Sequence, residues 1–154
     1  HESISSIHIK RRYDIVKKLG LAISMLKEAF GDNSKWKWSF VELEGRFATV
    51  AKNLIDMKSA VKDYFDPRAE DYETTVLYMR TIIRLLNESA TAYRDKYELS
   101  TRRIDDMRNA IKYLLALRKL YLAISDSTNA EEVKKKALVW KDKMDSDHKS
   151  GLSN

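Results

Sequence analysis

The sequence contains no cysteine, a single proline and only four glycines among 154 residues. Without cysteine the chain has no disulfide, no thiolate nucleophile, no iron–sulfur cluster and no zinc ribbon. The scarcity of proline and glycine argues against a β-sandwich or a loop-rich enzyme, because tight turns depend on these residues. A cysteine-free chain also fits a reducing compartment. We therefore expect a cytoplasmic protein.

Long apolar runs are missing as well. The longest stretch without a charge, residues 19–26, is far shorter than the roughly 20 residues that a membrane-spanning helix needs. We therefore expect no membrane insertion in this chain. Charged residues make up 34% of the sequence, above the roughly 25% of an average globular protein. This excess favours helices that each have a long solvated face.

Motifs for catalysis or cofactor binding are absent from the sequence. The four glycines stand alone, so neither a phosphate-binding loop nor a dinucleotide fingerprint is present. No histidine follows a glutamate by three residues, which excludes the carboxylate-bridged di-iron bundle. Asp145, Asp147 and His148 cluster near the C-terminus and could hold a cation, but they lie in a polar stretch that we interpret as a mobile tail. We predict no catalytic residue, no cofactor and no metal site, and therefore no enzyme.

Apolar residues recur every three to four positions along most of the chain, which is the period of an amphipathic helix. Five helices are predicted from this pattern and from the residues that start and stop them. The first covers residues 4–30 and ends before Gly31, and the second covers residues 40–65. The apolar stripe of the first helix, which we expect to face the core, consists of Ile4, His8, Ile15, Leu19, Ala22, Leu26 and Phe30.

The remaining three predicted helices have recognisable starts. Asp66 and Pro67 are typical of an N-cap and first residue for the third helix. The fourth begins near residues 100–101 and ends at residues 126–127. Thr128 and Glu131 have the spacing of a capping box for the fifth.

Short connections favour antiparallel neighbours in a helical bundle. The predicted fold is therefore all-α, a single elongated bundle of about five antiparallel amphipathic helices. We expect one bundle domain over residues 1–146 and a frayed polar tail over residues 147–154.

The net charge of +6 is concentrated on the first and fourth predicted helices. If those helices were adjacent, their cations would form one basic face able to bind phosphates. The alternative is a solvated face that happens to be rich in lysine and arginine. The basic candidates for a nucleic-acid or partner contact are Lys10, Arg11, Arg12, Arg102, Arg103, Arg108, Lys112 and Lys119.

Three further residues are candidates for partner binding. Trp36 and Trp38 alternate with lysines, and such aromatic residues anchor protein contacts or stack on bases. They are equally suited to covering the core where the second helix begins. Arg118 falls within the apolar arc of the fourth helix, and a buried arginine needs a carboxylate partner or must reach solvent. It is expected either in an ion pair or in a partner groove.

The sequence therefore supports two main functions. The first is a non-catalytic helical interaction protein, an adaptor or structural subunit that contacts a protein partner or a second copy. Its support is the extent of the apolar stripes, which exceeds what one bundle buries. The alternative is a basic helical nucleic-acid-binding subunit of a nucleoprotein complex. An extracytoplasmic ligand-sensing bundle is a third possibility, and it would need membrane segments outside this sequence.

Overall fold

The computed structural model describes residues 7–31, 33 and 35–154. Within these residues the fold is all-α, with six α-helices and no strand. The predicted fold class is confirmed, and the number of helices is six rather than five. The helices are α1 (Ile9–Phe30), α2 (Lys37–Asn53), α3 (Met57–Tyr64), α4 (Tyr72–Lys96), α5 (Ile104–Ala123) and α6 (Ser127–Lys149).

The chain divides into two compact units, with the boundary between Ile82 and Ile83 inside α4. The first unit contains α1, α2, α3 and the first part of α4. The second contains the rest of α4, a π-helical turn at Tyr97–Thr101, α5 and α6. The single domain over residues 1–146 stays a prediction.

In the first unit, α1 and α2 pack against each other in antiparallel orientation. Lys27 near the end of α1 pairs with Glu44 of α2, with 3.0 Å between Nζ and Oε1. Gly20 permits a close approach of the helices, because a Cβ there would lie 3.2 Å from the Phe47 ring. The buried side chains of this unit include Val16, Ile23, Phe40, Phe47, Ala48, Ala51, Tyr78, Met79 and Ile82.

The predicted second helix over residues 40–65 is wrong, because α2 ends at Asn53 and α3 begins at Met57. Two side chains from other helices bind carbonyl oxygens at this break. The Tyr78 hydroxyl donates to the Ala51 carbonyl over 2.8 Å, and Arg12 Nη1 donates to the Leu54 carbonyl over 2.8 Å. These bonds satisfy acceptors at the helix end that would otherwise be buried without a partner. The break is therefore held by α1 and α4.

The starts of two other helices also differ from prediction. Helix α4 begins at Tyr72 rather than Pro67, because residues 66–71 form consecutive turns in which Ala69 N–H donates to the Asp66 carbonyl. Helix α6 begins at Ser127 with Asp126 as its N-cap, so the predicted Thr128 cap is wrong. The Asp126 carboxylate accepts from Asn129 N–H over 3.1 Å. The predicted end of the first helix at Gly31 is confirmed, with φ +79°.

The C-terminal residues are docked on the second unit, so the predicted frayed tail over residues 147–154 is wrong. Helix α6 continues to Lys149, and Asp147 is buried. The Tyr97 hydroxyl donates to Asp147 Oδ2 over 2.7 Å. Asn154 N–H donates to the Arg102 carbonyl, and Ile104 N–H donates to the Asn154 carbonyl. This polar segment is therefore ordered by hydrogen bonds to partners some fifty positions earlier in the chain, which an apolar period does not reveal.

The contacts of Asp147 predict a pH dependence of stability. The Tyr97 hydroxyl, together with Lys143 and Arg102, lowers the pKa of Asp147 below its usual value near 3.8. The carboxylate of Asp147 therefore binds a proton more readily in the unfolded chain than in the folded one. Its contribution to stability is complete above the usual pKa near 3.8 and is lost as the pH falls through the lower folded-state pKa. We expect the melting temperature of Asp147→Asn to fall less between pH 6 and pH 3 than that of the wild type. An equal fall in both proteins would contradict this assignment.

Arg12 gives a second prediction in the first unit. Its side chain is 7% exposed and bonds to the Leu54 carbonyl, so Arg12→Met is expected to destabilise the protein by about 1.5–3 kcal/mol. Methionine retains apolar volume and leaves the carbonyl unpaired. Urea denaturation measures the change, and Arg11→Met, at the exposed neighbouring position, is the control. Equal midpoints for the two variants would show that Arg12 has no structural role.

Candidate interaction surface

Helix α1 has two apolar faces, and the structure buries the one that the sequence analysis did not choose. The buried line consists of Ile9, Arg12, Val16 and Ile23. At 100° of rotation per residue, the predicted core stripe is centred roughly 70° from this buried line. From Ile15 onward the stripe is exposed. Its exposed members are Ile15, Leu19, Ala22, Leu26 and Phe30.

Helix α2 contributes a second exposed row, with Trp36 directly before its first residue. Trp36, Leu43 and Val50 recur every seven residues, which is close to two helical turns. Between them, Phe40 and Phe47 turn inward and are buried. The large side chains of the two rows are between 38% and 47% exposed.

The two rows lie on the same side of the α1–α2 pair. On each helix the exposed row lies roughly 70–110° from the buried line, in the same direction when each helix is viewed from its own N-terminus. Because the two helices are antiparallel, this rotation brings both rows to the same side of the pair. Phe30 and Trp36 join the rows at one end, with ring centroids 6.1 Å apart in an edge-on contact. We call this surface the apolar face, and it consists of Ile15, Leu19, Leu26, Phe30, Trp36, Leu43 and Val50.

Cations border the apolar face on both helices. Arg11 and Lys18 of α1 and Arg46 of α2 are exposed and lie about 60–80° from the centre of their row. The carboxylates of Asp14 and Glu42 lie farther round, at about 100–120°. Each is already paired, with 3.5 Å between Lys18 Nζ and Asp14 Oδ2 and 2.6 Å between Arg46 Nη2 and Glu42 Oε1. The edges of the face therefore carry a net charge of +1, and Arg11 is the edge cation outside these pairs.

Of the three basic candidates on the first helix, Lys10, Arg11 and Arg12, only Lys10 and Arg11 are exposed. They line an open groove of about 490 Å³ between α1 and α4, together with Lys17 and Glu73. Arg12 is buried and bonded to a backbone carbonyl, so the prediction that it contacts a partner or a phosphate is wrong. The groove carries both signs of charge and is not a dedicated anion site.

The basic candidates of the fourth predicted helix and of the residues before it lie in the second unit. Arg108, Lys112 and Lys119 are exposed along one line of α5, and Arg108 pairs with Asp105 at 3.1 Å between Nη1 and Oδ1. Arg103 is also exposed. Arg102 has φ 51°, and its Nη1 lies 3.5 Å from Asp147 Oδ2, so this residue holds the docked C-terminus.

The aromatic candidates and Arg118 have distinct environments. Trp36 belongs to the apolar face, and Lys35 Nζ lies 5.1 Å from the centre of its ring. Trp38 is half-buried, with Lys37 Nζ 4.9 Å from its ring centre. Arg118 is half-buried on α5, and its Nε has no hydrogen-bond partner in the part of the chain that the structure describes.

Residues 7–31, 33 and 35–154 provide neither a metal site nor a membrane span. These residues contain no group of three histidine, aspartate or glutamate side chains placed to bind a metal ion. None of the helices in this part of the chain has the length and apolarity to cross a membrane.

Comparison with known proteins gives one relationship. No curated protein and no solved structure matches the chain. The model of the TP0443 family matches residues 1–148, which include the whole apolar face. The chain thus belongs to the TP0443 family.

Proposed function

We propose that the chain is a non-catalytic interaction protein, an adaptor or structural subunit that binds another protein through the apolar face. The observation that carries the proposal is the continuity of this face along two packed helices. Exposed apolar side chains are common singly, but a contiguous patch with charged edges is typical of an interaction surface. The lack of cysteine supports a reducing compartment, and a cytoplasmic location is part of the proposal.

The composition of the face favours a protein partner. Burial of apolar area contributes about 25 cal/mol per Å², and aromatic residues such as Phe30 and Trp36 frequently anchor protein interfaces. A nucleic acid would instead need cations within the contact area to neutralise phosphates. The exposed cations lie at the edges of the face and its centre is apolar, which supports protein binding over the nucleic-acid alternative.

Affinity co-purification with matched variants tests the proposal. Leu19→Glu and Leu26→Glu place a charge on the face, whereas Leu21→Glu and Met25→Glu place it elsewhere on the same helix. The control positions are 62% and 61% exposed. We expect proteins that co-purify with the wild type and with both controls to be lost from the face variants. Circular dichroism first establishes that all four variants are folded, and each sample is split for nuclease treatment.

Two results would contradict the proposal. One is equal loss of co-purifying proteins from face and control variants, which would show that the face has no specific role. The other is loss of all partners after nuclease treatment, which would support the nucleic-acid alternative. In that case the expected phosphate contacts would be the exposed cations Arg108, Lys112 and Lys119. The logarithm of the affinity for duplex DNA would then fall by about 0.9 per phosphate contact for each tenfold rise in salt concentration.

A further inference from the structure

The edges of the apolar face indicate which protein segment it binds. Resting on the proposed function, we propose that the face binds an amphipathic helix with acidic flanks from a different protein, rather than a second copy of this chain. The observations that carry this inference are the shape of the face and the exposed cations at its edges.

The shape of the face fits one helix. Packed helices have axes about 8–10 Å apart, so the rows on α1 and α2 border a shallow groove wide enough for the apolar stripe of a third helix. The row from Ile15 to Phe30 and the row from Trp36 to Val50 each extend about 21–23 Å at 1.5 Å per residue. A partner helix of about four turns, with apolar residues at positions i, i+3, i+4 and i+7, would fill this length.

The charges select the flanks of that helix. Arg11 and Lys18 border one edge of the groove and Arg46 borders the other. Asp14 and Glu42 lie farther from the groove and pair with Lys18 and Arg46 themselves, so these five groups together carry a net charge of +1. Glutamate or aspartate beside the apolar stripe of a partner helix would therefore meet exposed cations at both edges, with Arg11 outside any ion pair of the described residues, whereas lysine or arginine there would be repelled by the net positive charge.

The same charges disfavour a second copy. In a two-fold dimer the same surface is used by both partners, so edges of the same net positive charge would be brought together. The net charge of +6 adds to this repulsion. The expected state of the isolated protein is a monomer with an exposed apolar face.

Three fluorescent peptides of about 18 residues provide the test. The first has leucine at the stripe positions and glutamate at the flanks, the second has lysine at the flanks, and the third keeps glutamate but scrambles the leucines. Fluorescence anisotropy should show that the protein binds the first peptide at least about tenfold more tightly than the second near 50 mM salt, with the difference reduced near 500 mM. The third peptide should not bind.

Variants locate the binding and its charge preference. Leu26→Glu should abolish binding of the glutamate-flanked peptide, whereas Met25→Glu should leave it unchanged. The double variant Lys18→Glu/Arg46→Glu should shift the preference toward the lysine-flanked peptide. Circular dichroism confirms that each variant is folded before it is titrated.

Three outcomes would overturn the inference. Equal affinity for the first two peptides would show that the edge charges do not select the partner. A dimer mass in light scattering that is lost in Leu26→Glu and kept in Met25→Glu would identify a second copy as the occupant. If no peptide binds but co-purifying proteins are still lost from the face variants, the proposed function stands and the helical, acidic partner is excluded.

Discussion

Truncation after Asp145 is expected to destabilise the second unit by about 3 kcal/mol or more, because it removes a buried charge-assisted hydrogen bond and leaves its donor unpaired. Asp147 accepts from the buried hydroxyl of Tyr97, and Lys143 and Arg102 also lie close to its carboxylate. The same truncation removes the backbone pairing of Asn154 with Arg102 and Ile104. A loss of this size lowers the melting temperature by roughly 6–12 °C in a chain of this length.

Thermal unfolding followed by circular dichroism measures this effect. A truncation after Ser150 is the matched control, because it retains Asp147 and the whole of α6 and removes only the segment that pairs with Arg102 and Ile104. It should cost clearly less than the longer truncation. If the truncation after Asp145 melts within error of the full chain, the docking of the C-terminus contributes nothing to stability.

Leu86→Ala is expected to have an effect of similar size, about 2–5 kcal/mol. Leu86 is 1% exposed on α4, so the shorter side chain loses apolar burial and leaves a cavity that neighbouring side chains fill only in part. The free energy of unfolding from urea titration provides the measurement.

Leu77→Ala is the control for Leu86→Ala. Leu77 lies on the same helix and is 40% exposed, so the same substitution removes little buried area and should cost well below about 2 kcal/mol. Equal costs at positions 77 and 86 would mean that α4 is rotated about its axis relative to the structure.

The apolar period predicted helices correctly but could not say which face of α1 is buried. Leucine, isoleucine and phenylalanine side chains of this helix occupy more than one face, and the buried line contains an arginine. A rule that places apolar residues inside therefore chose the longer stripe, which is the exposed one. Arg12 is buried because its guanidinium binds the Leu54 carbonyl at the end of α2, and no property of the α1 sequence predicts that acceptor.

The other differences have the same physical origin. The break after Asn53 depends on the Tyr78 hydroxyl, which is 27 positions from its acceptor at Ala51. Docking of the C-terminus depends on a bond between Tyr97 and Asp147. Local propensity and period describe residues within one helix, whereas these bonds join residues that only the folded chain brings together. Asp56 and Ser59 were a local signal for the start of α3, and the uninterrupted apolar period concealed it.

Photo-cross-linking from single positions tests the central claim, that the apolar face binds another protein, most directly. A photoreactive phenylalanine analogue is placed at position 26 of the full chain in cells, and in a separate variant at position 25. The two positions are adjacent in sequence, exposed, and directed about 100° apart on the same helix. We predict a nuclease-resistant protein adduct from position 26 and none from position 25. The absence of an adduct at position 26, or the same adduct from both positions, would contradict the claim.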